Sequence, residues 1–224
     1  MSERKVLSVR PWYGQLWSRI MTHVHLKVWG ITAFMSLFFV AYLRLLKHPL
    51  FPVFEMPLTA LDRWTAFFPP ALIFYASLWV YVSLPVTLIV SRRSLVAYGA
   101  DIGLLCLLGL LCFFFLPTAV PQPTIDWALH PTMVFLKNVD AAGNACPSLH
   151  VATAVFSGIW LDAQLKRLGS RGKLRWANGL WCLAIVYSTL ATKQHVALDA
   201  LAGLLLGASG AWLSLRRAVH RTAA

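Results

Sequence analysis

The sequence predicts an all-α fold, a polytopic membrane bundle of about six transmembrane helices with both termini in the cytoplasm. Of its 224 residues, 58% are hydrophobic and only 12% are charged, whereas about a quarter of the residues in an average soluble domain are charged. A mean hydropathy of +0.66 agrees with this class. The apolar residues fall into six runs, each close to the roughly 20 residues that a helix needs to cross the hydrocarbon core.

Each apolar run predicts one helix. The runs lie at about 28–46, 71–90, 95–116, 149–165, 176–192 and 197–215. Alternate connections are basic, namely the N-terminal segment 1–27, SRRS at 91–94, KRLGSRGKLR at 166–175 and RRAVHR at 216–221. Because Lys and Arg accumulate in cytoplasmic loops, these connections are predicted to be cytoplasmic and the long Pro-rich loop 117–148 extracytoplasmic. The N-terminal segment has no short apolar core with a cleavage site, so no signal peptide is expected.

The net charge of +12 agrees with this topology. In a membrane protein a basic surplus orients the loops, so a nucleic-acid partner is not expected. Four cysteines without CxxC spacing predict neither a disulfide nor a cysteine zinc site. Asp101 and Asp162 lie near predicted cytoplasmic helix ends, where each carboxylate is expected either to reach water or to pair with a nearby basic side chain. The candidate partners are Arg92, Arg93, Lys166 and Arg167.

The stretch STLATKQHVALDALAG, residues 188–203, has the composition of a span yet contains Lys193, His195 and Asp199. A Lys or Asp at the middle of a membrane helix costs about 2.5–3.5 kcal/mol. The stretch is therefore interpreted as the end of the fifth helix, an outer turn and the start of the sixth. His195 and Asp199 are four residues apart and share a helix face, so the carboxylate can accept the imidazole N–H. This pair predicts a nucleophile or a general base.

A second polar segment, GNACPSLHVATAV at 143–155, begins the fourth helix. Pro147 suits the first turn of a helix and Ser148 suits a capping position. The N–H groups at such a terminus bind anions, and His150 lies within the same turn. The predicted topology places this segment on the same outer face as His195. Two histidines, an Asp and a capping Ser suit a phosphate, with one His attacking phosphorus and the other protonating the leaving oxygen.

PSLH at 147–150, followed by Ser188 and then HVALD at 195–199, resembles the second and third signature motifs of the type 2 phosphatidic acid phosphatase (PAP2) superfamily. The spacing fits the family pattern Ser-Arg-x5-His-x3-Asp except at its second position, which is Thr189. The resemblance implies a single PAP2-like transmembrane domain over residues 1–224, with the site on the extracytoplasmic side. It implies no metal and no other cofactor.

The resemblance also assigns roles to the matched positions. It implies that His195 forms a phosphohistidine, that Asp199 orients it, and that His150 is the general acid for the leaving alcohol. The phosphate oxygens would be held by three further positions, which are Ser148, Pro147 with the backbone N–H groups after it, and Ser188.

Two departures from the family pattern concern positive charge. The first motif, Lys-x6-Arg-Pro, is absent, since the only Arg-Pro dipeptide is at 10–11, and Thr189 replaces an Arg. A phosphoryl transition state needs positive charge nearby. Lys193 is the best substitute, and the outer-loop residues Lys137 and Arg63 are weaker candidates. The same departures resemble the branch of inositol-phosphorylceramide and sphingomyelin synthases.

The leading hypothesis is a membrane lipid phosphate phosphatase that acts on an amphiphilic phosphate ester or diphosphate, with lipid phosphates and membrane lipids as its partners. One alternative is a lipid phosphotransferase that moves a phospho-headgroup to another lipid or alcohol. Another is a non-enzymatic lipid transporter with a His195–Asp199 proton relay, and a third is a metal-dependent hydrolase with His150, His195 and Asp199 as ligands. The last alternative is that Lys193, His195 and Asp199 only cap and pair at helix ends. The expected location is a bacterial inner membrane, with the site facing the periplasm.

Overall fold

The computed structural model describes residues 12–133, 144–170 and 172–223, and over these ranges the chain is mainly helical. The helices of these ranges are α1 (Trp12–Met21), α2 (Val24–Lys47), α3 (Ala60–Trp64), α4 (Leu72–Tyr81), α5 (Leu84–Leu88), α6 (Arg92–Phe115), α7 (Leu149–Arg167), α8 (Gly172–Ala191) and α9 (Ala197–Ala223). Two short 3-10 turns lie at Pro69–Ala71 and Trp127–Leu129. Two-residue strands form β1 (Phe54–Glu55) and β2 (Thr118–Ala119). The predicted all-α class is confirmed.

Several helices have the length and composition of membrane spans. Within the described ranges, four stretches are long and apolar enough to cross, namely Val24–Lys47, Pro69–Leu88, Arg92–Phe115 and Ala197–Ala218. Large apolar side chains cover the outside of the bundle, and Leu37 and Ile73 are each 74% exposed. Such extensive apolar exposure indicates contact with lipid. The chain is an integral membrane protein, while the count of six spans and the orientation of the termini stay predictions.

Helix α7 is the central helix of the bundle. Residues on most of its sides are buried, and they include the polar Ser157 and Gln164. Gln164 Nε2 donates to the carbonyl of Pro85 at 3.1 Å, and Ser157 Oγ lies 3.4 Å from the hydroxyl of Tyr98. Because α7 contacts protein on most sides, its polar groups find partners there and it does not need a continuous apolar surface. This explains why α7 is less apolar than α2, α4 and α6.

Helices α7 and α9 cross in direct backbone contact at Gly203 and Gly207. A Cβ added at Gly203 would lie 2.3 Å from the carbonyl oxygen of Ser148, and one at Gly207 would lie 2.4 Å from that of Ala152. No side chain fits at these distances, so the glycines allow the close approach typical of small-xxx-small contacts between membrane helices. The crossing places the start of α7 beside the first turns of α9.

The second apolar run differs from its prediction, because α4 and α5 are separated at Val82 and Ser83. Pro85 lacks an N–H, and its ring clashes with the carbonyl four residues earlier, so the helix ends at Tyr81. Two boundaries differ as well. The N-terminal segment contains helix α1, and α9 continues through the basic tail to Ala223, beyond the predicted end at 215.

The two carboxylates near the basic helix ends are paired, but the predicted partners are wrong. Asp162 forms a bidentate salt bridge with Arg175 of α8, with N–O distances of 2.7 and 2.9 Å. Asp101 accepts from Arg217 of α9 at 3.0 Å and from Ser214 at 2.5 Å. The expected partners were chosen for nearness in sequence, namely Arg92, Arg93, Lys166 and Arg167. Helix packing instead brings in arginines from α8 and α9.

The loops opposite the basic helix ends meet through the two strands. Phe54 pairs with Thr118 and Glu55 with Ala119 in parallel. Thr118 also bridges to Asn144, and its hydroxyl accepts from the N–H of Cys146 at 2.8 Å. These contacts place residues 144–148 over one end of the bundle. We call this end, where 48–70, 117–133, 144–148 and 192–196 lie, the site end.

Candidate active site

His195 and Asp199 form a hydrogen-bonded pair at the site end. The imidazole Nδ1 lies 3.2 Å from Oδ2 of the carboxylate. Because an ionised carboxylate only accepts, Nδ1 carries the proton and the lone pair is on Nε2. His195 is 8% exposed and Asp199 is fully buried, and Asp199 Oδ1 has no hydrogen-bond partner within the described part of the chain. The carboxylate thus orients the ring and can stabilise the positive charge that develops on it.

Ser148 caps α7, as the sequence predicted. Its Oγ accepts from the N–H of Val151 at 3.2 Å, and its own N–H donates to the main-chain carbonyl of Asp199 at 3.0 Å. The second bond ties the start of α7 to the first turn of α9. Pro147 precedes the cap and does not lie in the first turn, which corrects its predicted position. The helix begins only at Leu149 because Ser148 has the non-helical backbone of a cap.

Tyr75 of α4 holds His150 through a ring stack and a hydrogen bond. The two rings stack with their centroids 3.9 Å apart, and Nε2 lies 3.1 Å from the carbonyl oxygen of Tyr75. Since a carbonyl only accepts, Nε2 carries a proton, and Nδ1 is the nitrogen that can exchange a proton with a ligand. Sequence reasoning missed Tyr75, because no local pattern links it to a histidine 75 residues later.

The two histidines line one cavity of about 310 Å³, which we call the upper cavity. Their ring centroids are 6.4 Å apart. Asn144 lines the same cavity, and its Nδ2 donates to the carbonyl of Tyr42 at 2.9 Å. Its buried Oδ1 has no hydrogen-bond partner among the described residues. The upper cavity therefore combines two imidazoles with an otherwise largely apolar lining.

The turn between α8 and α9 holds His195 in place, and it confirms the interpretation of residues 188–203. The carbonyl of Thr189 accepts from the N–H groups of Gln194 and His195, both at 3.1 Å. Lys193 has a φ of 57°, a left-handed conformation that costs about 1–2 kcal/mol for a residue with a side chain. Other contacts must therefore stabilise the turn.

Lys193 supplies two of these contacts. Its ammonium donates to the main-chain carbonyls of Asp62 at 3.0 Å and Thr65 at 2.5 Å. Burial lowers the pKa of Lys193, and the nearby Asp62 carboxylate acts in the opposite direction. The side chain thus reaches α3 and the residue that follows it, and it does not line the upper cavity. Its predicted role in phosphate binding stays a prediction.

Asp62 of α3 completes this clamp and was missed by sequence reasoning. Its Oδ1 accepts from the N–H of Ala197, the first residue of α9, at 2.7 Å. Its Oδ2 accepts from the N–H and the hydroxyl of Thr59, both at 2.7 Å. One buried carboxylate therefore caps α3 and α9 together. Together with the two bonds from Lys193, it fixes the loop 48–70 to the turn carrying His195.

Replacing Asp62 with Ala is expected to lower both stability and catalytic activity. Three acceptor bonds are lost, and the loss of a helix cap typically costs about 1–2 kcal/mol. At this chain length such a loss lowers the Tm by roughly 2–8 °C. Thermal unfolding in detergent and turnover of a phosphate ester would measure the two effects. Asp126→Ala is the matched control, since Asp126 is exposed and caps only a local turn through Ala128. Equal behaviour of both variants would contradict the clamp.

Cys146 lies beside the site but is not suited to be a nucleophile. The thiol is half-buried, and this burial, followed by the Asp199 carboxylate and Cys112, raises its pKa to about 11. A thiol with such a pKa stays protonated near neutral pH, and the thiolate is the reactive form. The imidazole of His195 is therefore the stronger candidate for attack.

The remaining predicted residues either do not line the upper cavity or lie outside the described residues. Ser188 is buried in α8, and its Oγ donates to the carbonyl of Ile185 at 2.6 Å. Arg63 is exposed on α3, and Lys137 lies outside the described residues. Within the described ranges, no three His, Cys, Asp or Glu side chains are grouped to hold a metal ion.

This site belongs to a helical membrane protein with two histidines that face each other, one of them oriented by a buried Asp. A family model of the PAP2 superfamily matches residues 103–222, more than half of the 224 residues. The chain belongs to the PAP2 superfamily, whose members are phosphohydrolases. The match contains α7, α8 and α9, and with them His150, His195 and Asp199. Comparison with curated proteins gave no match.

Proposed function

We propose that the protein is a membrane lipid phosphate phosphatase that works through a phosphohistidine. The observation that carries the proposal is the pair of histidines on one apolar cavity, with their ring centroids 6.4 Å apart. Only His195 has a buried carboxylate on its ring nitrogen. The two imidazoles are thus differently held, as a nucleophile and a general acid require.

In the first step, the lone pair on Nε2 of His195 forms a bond to phosphorus while the bond from phosphorus to the ester oxygen breaks. The positive charge that develops on the ring faces Asp199. His150, which takes up a proton at Nδ1 when the negatively charged phosphate ester binds beside it, gives that proton to the leaving oxygen, and its Nε2–H stays bonded to the carbonyl of Tyr75. In the second step, water attacks phosphorus, the N–P bond breaks, and His150 takes the proton of the water. Phosphate leaves, and both rings return to their starting states.

The same residues can transfer the phosphoryl group to an alcohol in place of water. One observation favours keeping this second candidate, since the chain lacks the family's Lys-x6-Arg-Pro motif. A phosphate-binding role for Lys193, Ser148, Pro147, Ser188 and Lys137 is part of the proposal.

The experiment that tests the proposal identifies the products. Membranes with the wild-type chain are supplied with phosphate-labelled phosphatidate, polyprenyl diphosphate or phosphatidylinositol, and free phosphate and new labelled lipids are quantified together. Release of free phosphate is the expected result, and a new labelled lipid without free phosphate would establish the transferase. Neither product from any lipid would contradict both enzymes and favour the transporter.

A chelator added to the same assay separates the metal-dependent alternative. Because the proposed steps use only imidazole and carboxylate groups, EDTA is expected to leave phosphate release unchanged. A loss of activity with EDTA that added Mg²⁺ or Zn²⁺ restores would favour the metal-dependent hydrolase.

We also propose that the site faces the periplasm of a bacterial inner membrane. The basic connections lie at the other end of the bundle from the histidines, and the positive-inside rule assigns basic loops to the cytoplasm. Labelling of single cysteines placed at Thr65 and at Ser170 with an impermeant maleimide tests this. Labelling of the Thr65 position alone in intact cells is expected, and the reverse pattern would contradict the orientation.

A further inference from the structure

A second cavity of about 450 Å³ continues the upper cavity toward the basic end of the bundle. We call it the lower cavity. The two share a wall made of five residues, which are Phe34, Met35, Trp79, Val82 and Ile102. Because five residues line both, the two cavities adjoin between α2, α4 and α6, and we treat them together as one groove. The groove begins at the two histidines and leads away from them.

We propose that this groove binds a hydrocarbon chain of the substrate lipid, an inference that rests on the proposed function. The reacting phosphate lies at the histidines, so the chain attached to it must leave the site through an apolar path. The groove is such a path, since most of the side chains that line it are aliphatic or aromatic. Apolar lining with a few polar groups at one end is typical of lipid and other small-molecule sites.

The length of the groove indicates a long chain. The part of α2 that lines it runs from Leu26 to Tyr42, which at 1.5 Å per residue is about 24 Å. The hydrocarbon core of a bilayer is about 30 Å thick, so the groove passes the midplane. A chain that fills it is therefore longer than the depth of one leaflet.

Lys27 lines the lower cavity at its basic end. Its ammonium donates to the carbonyl of Arg19 at 2.7 Å and to that of Thr87 at 2.9 Å. These bonds tie α2 to α1 and α5. The charged ammonium makes this end less favourable for a hydrocarbon chain than the apolar wall above it.

Two glycines on facing helices create room in the lower cavity. Gly30 of α2 and Gly99 of α6 both line it, and a Cβ added at either position would meet no atom within 4 Å. A larger side chain can therefore be placed there without a clash at its Cβ. Replacement of Gly within a helix also raises helix propensity, so these variants are expected to fold.

Gly99→Leu and Gly30→Leu are therefore expected to shorten the groove without touching the histidines. The test compares kcat/KM for dioctanoyl and dioleoyl phosphatidate, and for farnesyl and undecaprenyl phosphate. For the long-chain member of a pair that the wild type hydrolyses, a decrease of about tenfold is expected, which corresponds to about 1.4 kcal/mol. For the short-chain member, a change below about twofold is expected. Gly179→Leu is the matched control, because Gly179 is exposed on α8, meets no atom within 4 Å and lies outside both cavities.

A second measurement reads chain binding without catalysis. A long-chain phosphatidate with a diazirine near the end of its chain is photolysed with the protein, and labelled peptides of α2 and α6 are identified. Labelling near Gly30 and Gly99 in the wild type, and its loss in Gly99→Leu, is expected. Labelling elsewhere, or equal effects of Gly99→Leu on long and short chains, would overturn the groove assignment. If the wild type is labelled near Gly30 and Gly99 but releases phosphate from none of the lipids, the result would instead contradict the proposed function.

Discussion

Replacement of His195 with Ala is expected to reduce phosphate release by about four to six orders of magnitude, as loss of the nucleophile does in other covalent mechanisms. Without Nε2 no N–P bond forms, and the remaining groups can only position the ester. The decrease would be measured as kcat on the lipid that the wild type hydrolyses. A phosphoenzyme, trapped with phosphorus-32 and stable in alkali but labile in acid, is expected in the wild type and absent from the variant.

His130→Ala is the matched control for this substitution. His130 also lies at the site end, where its ring packs on Phe67 at a centroid distance of 5.1 Å, and it does not line the upper cavity. An effect below about twofold is expected, since surface substitutions away from the site seldom exceed about 0.5 kcal/mol. A His195→Ala variant that still hydrolyses the lipid at the wild-type rate, or still forms the phosphoenzyme, would disprove the mechanism.

Replacement of Gly203 with Val is expected to lower the free energy of unfolding by about 3 kcal/mol or more, the upper end of the usual overpacking cost. The new Cβ would lie 2.3 Å from the carbonyl oxygen of Ser148 and 3.1 Å from the Cβ of Val151. Neither a backbone atom nor a Cβ can rotate away, so α7 and α9 must separate. Separation breaks the bond from Ser148 N to Asp199 O and moves His150 away from His195. At this chain length, the Tm is expected to fall by about 6–12 °C.

Thermal unfolding in detergent and turnover would measure this effect. Gly179→Val is the matched control, because a Cβ at Gly179 on α8 meets no atom within 4 Å. It tests the effect of a change from Gly to Val on helix propensity by itself, which is below about 1 kcal/mol. Two variants with the same Tm and the same turnover would show that the contact between α7 and α9 is not close in the membrane.

The site could be predicted from the sequence wherever its geometry is local. His195 and Asp199 are four residues apart, and although His195 lies in the turn two residues before α9, this short spacing still brings its ring to the Asp199 carboxylate. The cap at Ser148 depends on its own backbone and on the N–H of Val151. Pro85 ends α4 because its ring clashes with a carbonyl in the preceding turn, and the proline is visible in the sequence. The continuous apolar run around Pro85 nevertheless led to the prediction of one uninterrupted helix.

The partners that hold the histidines could not be predicted. Tyr75 lies 75 residues before His150, and Asp62 lies 135 residues before Ala197. In each case one partner is a carbonyl or an N–H of the main chain, which every residue except proline provides in full. Residue type therefore carries almost no information about the contact. Only the packing of α3 and α4 against α7 and α9 selects it.

Composition, apolar run length and short-range spacing by themselves determined that this protein is a helical membrane protein with an oriented His195 and a capped helix before His150. These properties depend on the spacing of residues along a helix and on the transfer of apolar side chains from water to lipid, and both can be read from neighbouring residues in the sequence. The tertiary structure alone decided that the two histidines share a cavity, that Lys193 reaches the backbone beside α3, and that a groove runs between α2, α4 and α6. These properties depend on how close two helix backbones can approach, and at Gly203 that distance is set by a missing side chain.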